Sequence, residues 1–170
     1  LRPFQVCLKG IARTFQIPSV FSTLTVYDNI RVGAHFGSHD SDEKRIINEV
    51  LDFVGLNEKK DIEAIHLPLY DKKMTMLGAA LATQPQLLMV DEPIGGLSPN
   101  EITKSAEIFQ RINQELGITL IVIEHLMKVL MGLSHRMMIL HNGEKISIGS
   151  PEEVANDEQV IEVYLGADYA

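Results

Sequence analysis

Tryptophan is missing from these 170 residues, cysteine occurs once, and aromatics make up only 6%. The lone thiol, Cys7, excludes an intrachain disulfide, so a reducing compartment is the default and Cys7 reads as inert. No apolar run approaches the ~18 residues of a membrane-spanning helix, and no signal-peptide pattern is present. Basic residues are scarce: Lys and Arg total 15 against 23 Asp and Glu, a net charge of −8. Phosphate-backbone affinity needs a basic surface, so that balance argues against a general nucleic-acid binder. It does not exclude a single nucleotide held through backbone N–H groups and a metal ion. Hydrophobic content of 45% is enough for a core, and the length suits one domain.

What is present is concentrated in Leu-Leu-Met-Val-Asp-Glu-Pro-Ile-Gly-Gly-Leu-Ser-Pro, residues 87–99. Four apolar residues run into Asp91-Glu92 and stop at Pro93, as in a strand buried on both faces. Two carboxylates at the end of such a strand need a reason, because unpaired buried charge is costly. A Mg²⁺-nucleotide is one. The matching phosphate cradle, Gly-x-x-x-x-Gly-Lys-Ser/Thr, occurs nowhere in the sequence.

The rest reads as alternating elements. Residues 10–16 form a strand ending in Gln16, and residues 24–32 a short helix followed by a polar loop over 35–42. Asp40 and Glu43 can form a capping box for a helix that buries Ile46, Ile47, Val50, Leu51 and Val54 and ends at Gly55. Further helices are expected at 58–65 and 70–82, the latter with Met74, Leu77, Ala80 and Leu81 inward. Ser98-Pro99-Asn100-Glu101 is a strong helix start, with Ile102, Ala106, Phe109, Ile112 and Leu116 as the buried stripe and Gly117 as the stop. Residues 119–123 are the next buried strand, ending at Glu124-His125, and a helix follows to about Leu133. Asn142-Gly143 is a hairpin turn between strands at 137–140 and 145–148. Ser150-Pro151-Glu152-Glu153 repeats the helix start, and a short tail ends near Leu165. Strand–helix–strand from residue 87 onward predicts a parallel, helix-covered sheet, and residues 20–82 a helical insertion between two of its strands.

Gln16, Asp91-Glu92 and His125 each follow a strand. In a parallel sheet the carboxyl ends of the strands share one edge, where ligands bind, so these segments are expected to converge on one cleft. The methionines at 74, 76, 127, 131, 137 and 138 read as core filler. His35, His39, His66, His135 and His141 lack metal-ligand spacing, and Lys72-Lys73 reads as a solvated face.

These motifs resemble the ATP-binding subunit of ABC transporters over essentially the whole chain. Residues 10–16 resemble the Q-loop strand, Leu87–Glu92 Walker B with the catalytic glutamate, Gly95-Gly96-Leu97-Ser98 the D-loop, and Ile123-Glu124-His125 the H-loop. Ile11–Gln16, residues 24–26, residues 80–85, and the tail at 149–154 with 163–166 are similar to the branched-chain amino acid importer type (LivG/LivF-like). The lipopolysaccharide-export ATPase is a near neighbour. The resemblance implies an α/β fold: a partial P-loop NTPase core with a parallel sheet, an inserted helical subdomain, and a C-terminal β-hairpin and helix. It divides the chain into 1–19, with the Q-loop strand; 20–84, the helical subdomain; and 85–170, the core with its tail. It implies ATP and Mg²⁺ as cofactors. Asp91 and Gln16 would serve the metal, partly through water, and Glu92 would be the general base. His125 would contact the γ-phosphate region, and Gly96 and Ser98 would lie in the cofactor-binding D-loop. The implied partners are transmembrane permease subunits and a second ATPase subunit, and the implied location is the inner face of the plasma membrane.

Two departures shape the expectation. Measured against the family, the chain starts just before the Q-loop, so it is expected to be a fragment lacking the adenine-stacking aromatic, the P-loop lysine and the metal-binding Ser/Thr. A family strand would then be missing between those at 119–123 and 137–140, leaving two apolar edges. The family signature Leu-Ser-Gly-Gly-Gln aligns with Leu67-Pro68-Leu69-Tyr70-Asp71. Pro68 replaces the serine hydroxyl, Tyr70 replaces a glycine, and Asp71 brings negative charge towards the phosphates. The chain alone is expected to be inactive. Its rivals are a non-catalytic ABC-like interaction module, and a soluble ABC ATPase of DNA repair or translation.

Overall fold

The computed structural model describes residues 1–37 and 42–165, which form two compact units, one up to Glu124 and one from His125 onward. The first unit holds helices α1 (Pro3–Cys7), α2 (Val26–Gly37), α3 (Glu43–Phe53), α4 (Leu69–Leu81) and α5 (Pro99–Gln114). It also holds strands β1 (Ile11–Arg13), β2 (Leu87–Asp91) and β3 (Thr119–Ile123), and two short 3₁₀ turns at Asn57–Lys59 and Ala64–His66. The second holds α6 (Met127–Leu133), β4 (Met137–His141), β5 (Glu144–Gly149), α7 (Pro151–Ala155) and α8 (Glu158–Leu165).

β1, β2 and β3 form a three-stranded sheet in that order, all parallel. The register pairs Ile11 with Leu87, Arg13 with Met89, and Asp91 with Ile123. The carboxyl ends of the strands therefore lie on one edge, where Arg13 and Asp91 end their strands and Thr14 to Gln16, Glu92 and Glu124 lie just beyond. Leu88 and Val90 are buried, whereas Leu87, Met89 and Asp91 are half-covered, so β2 is dry on one face only.

Residues 119–123 form a strand, but not a buried one. Among the described residues β3 has a single neighbour, β2, and Ile121 and Ile123 are 48% and 58% exposed. An apolar run reports which residues could be covered, not which layer is there to cover them. The 58–65 stretch is likewise not a helix: it makes the two 3₁₀ turns, with Glu63 bridging to Thr25 between them.

Helix starts follow local chemistry. Thr25 Oγ accepts from Asp28 N–H at 3.0 Å, so α2 begins at Val26, two residues later than expected, and runs on to Gly37. Asp40, expected to cap the next helix, lies outside the described residues. Asp42 holds that position, its carboxylate accepting from Arg45 N–H at 3.1 Å. The inward residues of α3 are those expected. In α5 the buried stripe is Ser105, Ile108, Phe109 and Ile112, while Leu116 is exposed beyond the helix end. In the second unit, Asn142 and Gly143 both take positive φ, 49° and 83°, joining β4 to β5 in an antiparallel pair as Asn-Gly hairpins do. That unit's core is Met137, Ile139, Val154 and Val160.

Three carboxylates serve these starts and turns and are held below their ordinary pKa. Glu101 accepts from the Ser98 hydroxyl at 2.6 Å and its N–H at 2.8 Å. Glu153 accepts from Ser150 N–H at 2.8 Å, and Asp157 from the Ser147 hydroxyl at 2.7 Å. A depressed folded pKa contributes stability that is complete above the unfolded value and is lost as pH falls through the folded one. Thermal melts should therefore be flat from neutrality down to about pH 5 and fall below about pH 4, near the unfolded carboxylate values. Ser98→Ala should shallow that acid slope in circular-dichroism melts. A melting temperature unchanged between pH 5 and pH 3 would contradict this assignment.

Candidate functional site at the carboxyl ends of the parallel strands

Parallel register carries Gln16 and Glu92, 76 residues apart in sequence, into direct contact: Gln16 Nε2 donates to Glu92 Oε2 at 2.6 Å. Gln16 is exposed just beyond β1, and Glu92 is half-buried just beyond β2. Next to them Arg13 donates to Asp91 Oδ2 at 3.0 Å. Gly95 follows closely, and a Cβ added there would lie 4.0 Å from the Glu92 carboxylate. His125 lies two residues beyond β3 in sequence and is exposed as the first residue of the second unit.

Sequence reasoning missed Arg13 and misread Lys73. Arg13 had a signal: a lone cation three positions before Gln16 at the mouth of an acidic site. Lys73 is not on a solvated face. It is 5% exposed on α4, and its Nζ donates to Glu92 O at 3.0 Å. Burial pushes the Lys73 ammonium below its ordinary pKa, while the carboxylates of Glu124 and Glu92 pull it back up. Glu124 also reaches this turn, its Oε1 accepting from Ile94 N–H at 3.0 Å. Glu92 itself has φ +42°, a left-handed conformation that costs a non-glycine residue about 1 kcal/mol or more.

The segment aligned with the signature opens α4. Leu67 is buried in the core, Pro68 is the N-cap and carries no donor, and Leu69 is exposed and packs against Gly96. Tyr70 is half-buried, and its hydroxyl pKa is raised by burial first and then by Asp71, Glu101 and Glu107. Asp71 does not project as free charge: it is 3% exposed and accepts from Lys59 Nζ at 2.6 Å. Ser98 is engaged by Glu101 as the α5 cap.

A carboxylate (Asp91) and an amide (Gln16) form the sparse hard-oxygen set that Mg²⁺ takes when water and phosphate complete its shell. With the Gln16 nitrogen turned to Glu92, its Oε1 is the atom left for such a role. Among the described residues there is no cluster of three or more His, Cys, Asp or Glu that could hold a metal by itself.

Residues 144–170 match the family model described as the branched-chain amino acid ATP-binding cassette transporter. The chain is 31% identical to the high-affinity branched-chain amino acid transport ATP-binding protein LivG of Salmonella typhimurium, over 95% of this chain and 70% of that protein. It is 30% identical to the Escherichia coli K12 LivG over the same shares. Among solved structures, an ATP-binding cassette of an ABC transporter in its ADP conformation superposes with a TM-score of 0.82 at 25% identity, covering 98% of this chain and 72% of that one. The parallel sheet with its helices is accordingly the α/β fold of ABC ATPases. Likeness to LivG across nearly the whole chain, joined to the order of the polar residues along the strand ends, places this chain in the family of branched-chain amino acid ABC transporter ATP-binding proteins.

Proposed function

We propose that these residues form the Walker B and Q-loop half of an ATP-hydrolysing subunit of a branched-chain amino acid importer. The observation that carries the reading is the Gln16–Glu92 contact at the ends of adjacent parallel strands, beside Asp91. Gln16 occupies one oxygen of the Glu92 carboxylate, which leaves the other to polarise an attacking water as general base. Asp91 and Gln16 would hold Mg²⁺, with Arg13 acting as the counter-ion of Asp91. His125 would meet the γ-phosphate region, and Gly96 and Ser98 would line the approach. ATP with Mg²⁺, when bound, supplies the transferable phosphoryl group and neutralises its developing charge.

The 170 residues hold no Gly-x-x-x-x-Gly-Lys-Ser/Thr, so in this reading the phosphate cradle comes from polypeptide outside them. Residues 1–19 and 85–170 serve the nucleotide, and the helical stretch 20–84 docks to a permease on the cytoplasmic side of the membrane. Support for docking comes from Phe21 and Phe36, both exposed, and from a groove of about 410 Å³ lined by Leu24, Asp28, Arg31, Val32, His35 and Phe36. No helix among the described residues is long and apolar enough to cross a membrane. A second ATPase subunit would complete the assembly. One observation favours the alternative of a non-catalytic partner: Pro68 offers no hydroxyl, and Tyr70 lies among the carboxylates of Asp71, Glu101 and Glu107, a poor setting for a phosphate.

The test is phosphate release from the chain mixed with a separate polypeptide bearing the cradle motif. Hydrolysis is expected, falling at least 100-fold in Glu92→Gln, the scale of a lost general base. Hydrolysis indifferent to Glu92→Gln would remove the assignment.

A further inference from the structure

We propose that Lys73 and Glu124 are positioning residues, which clamp the turn after β2 from two sides and so fix where the Glu92 carboxylate points. Lys73 Nζ holds the Glu92 carbonyl at 3.0 Å, and Glu124 Oε1 holds the Ile94 N–H at 3.0 Å. The Glu92 N–H is tied to Ile123 O at 2.9 Å. The backbone on both sides of the Glu92 Cα is therefore anchored to elements other than its own: α4 through Lys73, β3 through Ile123, and the residue after β3 through Glu124.

The turn needs such anchoring. Glu92 sits at φ +42°, an uncommon and costly backbone conformation for a residue with a Cβ. The lysine is also badly placed for any merely structural duty. It lies beside a small apolar cavity bounded by Met74, Met76, Leu77, Val90, Pro93 and Phe109, where Thr14 Oγ has no hydrogen-bond partner among the described residues. An apolar side chain would pack there at less cost than a desolvated ammonium. What methionine could not do is donate to the Glu92 carbonyl. The carboxylates of Glu92 and Glu124 stabilise the ammonium where it lies, so cation, carbonyl and two acids form one unit. Truncation of either clamp should let the turn relax towards ordinary φ and swing the carboxylate away from Gln16.

This rests on Glu92 being the water-activating residue for its meaning, but the clamp can be read without nucleotide, so the two ideas fail separately. The experiment uses the 170-residue chain and two NMR signals: the side-chain amide of Gln16 and hydrogen exchange at the Ile94 N–H. In Glu124→Ala, Ile94 exchange is expected to speed up at least tenfold. Glu124→Gln, which keeps an acceptor oxygen, should restore it. In Lys73→Met the Gln16 side-chain amide should move to the position it takes in Glu92→Ala, and Lys73→Arg should return it. Unchanged Ile94 exchange in Glu124→Ala, or a Gln16 signal unmoved in folded Lys73→Met, would overturn the proposal. If Lys73→Met does not fold, the Glu124 pair decides alone: Glu124→Gln as damaging as Glu124→Ala also overturns it.

Discussion

Replacing Gly33 with alanine should destabilise the Leu1–Glu124 unit by about 3 kcal/mol, the upper part of the range for overpacking a tight interface. A Cβ on Gly33 would lie 2.0 Å from the carbonyl oxygen of Ala79 and 2.9 Å from its carbon. Those are backbone atoms of α4, so no side chain can rotate out of the way, and α2 and α4 must separate. Ile30 and Ala34 on α2 and Met74 and Leu77 on α4 are all buried, so separation opens the core as well. The opposing effect is the better helix propensity of alanine, about 1 kcal/mol, which is too small to win. The melting temperature should fall by on the order of 10 °C. Gly132→Ala is the control: nothing lies within 4 Å of its added Cβ, and the change should be neutral or slightly stabilising.

The largest functional effect concerns affinity. Micromolar and millimolar binding differ by about 4 kcal/mol. A phosphate cradle supplies several charge-assisted hydrogen bonds, each of about 1.5–3 kcal/mol, so losing it is enough to cross that interval. In the proposed reading what remains is Asp91 and Gln16, which would act through a metal ion, on a chain whose net charge of −8 repels a triphosphate. Mg-ATP binding to these 170 residues alone should be no tighter than about 1 mM, roughly a thousandfold weaker than with the cradle supplied.

The parts legible in the sequence were those fixed by neighbours in sequence. Ser98 with Glu101, Ser150 with Glu153, and Asn142-Gly143 each carry their structure within four residues, and all three lie where the pattern put them. The apolar run into Asp91 gave β2, and the order of strands gave the parallel edge on which Gln16 meets Glu92. The rest depended on what packs from elsewhere. β3 has the composition of a buried strand, but among the described residues no further strand lies beside it in its sheet. Residues 58–65 have helical composition, but the Thr25–Glu63 bridge draws the chain out between two short turns. Lys73 is next to a half-exposed lysine, and only its depth beneath the Glu92 turn distinguishes the two. The pairing of Asp71 with Lys59 could not be read from a motif alignment, which shows a charge but not its partner.

The most direct measurement is an isothermal titration of Mg-ATP into the chain alone and into the chain mixed with a cradle-bearing polypeptide. The expected result is no saturable binding below about 1 mM in the first case and micromolar binding in the second. Micromolar affinity in the chain alone would contradict the claim that these strand ends make only half of a nucleotide site.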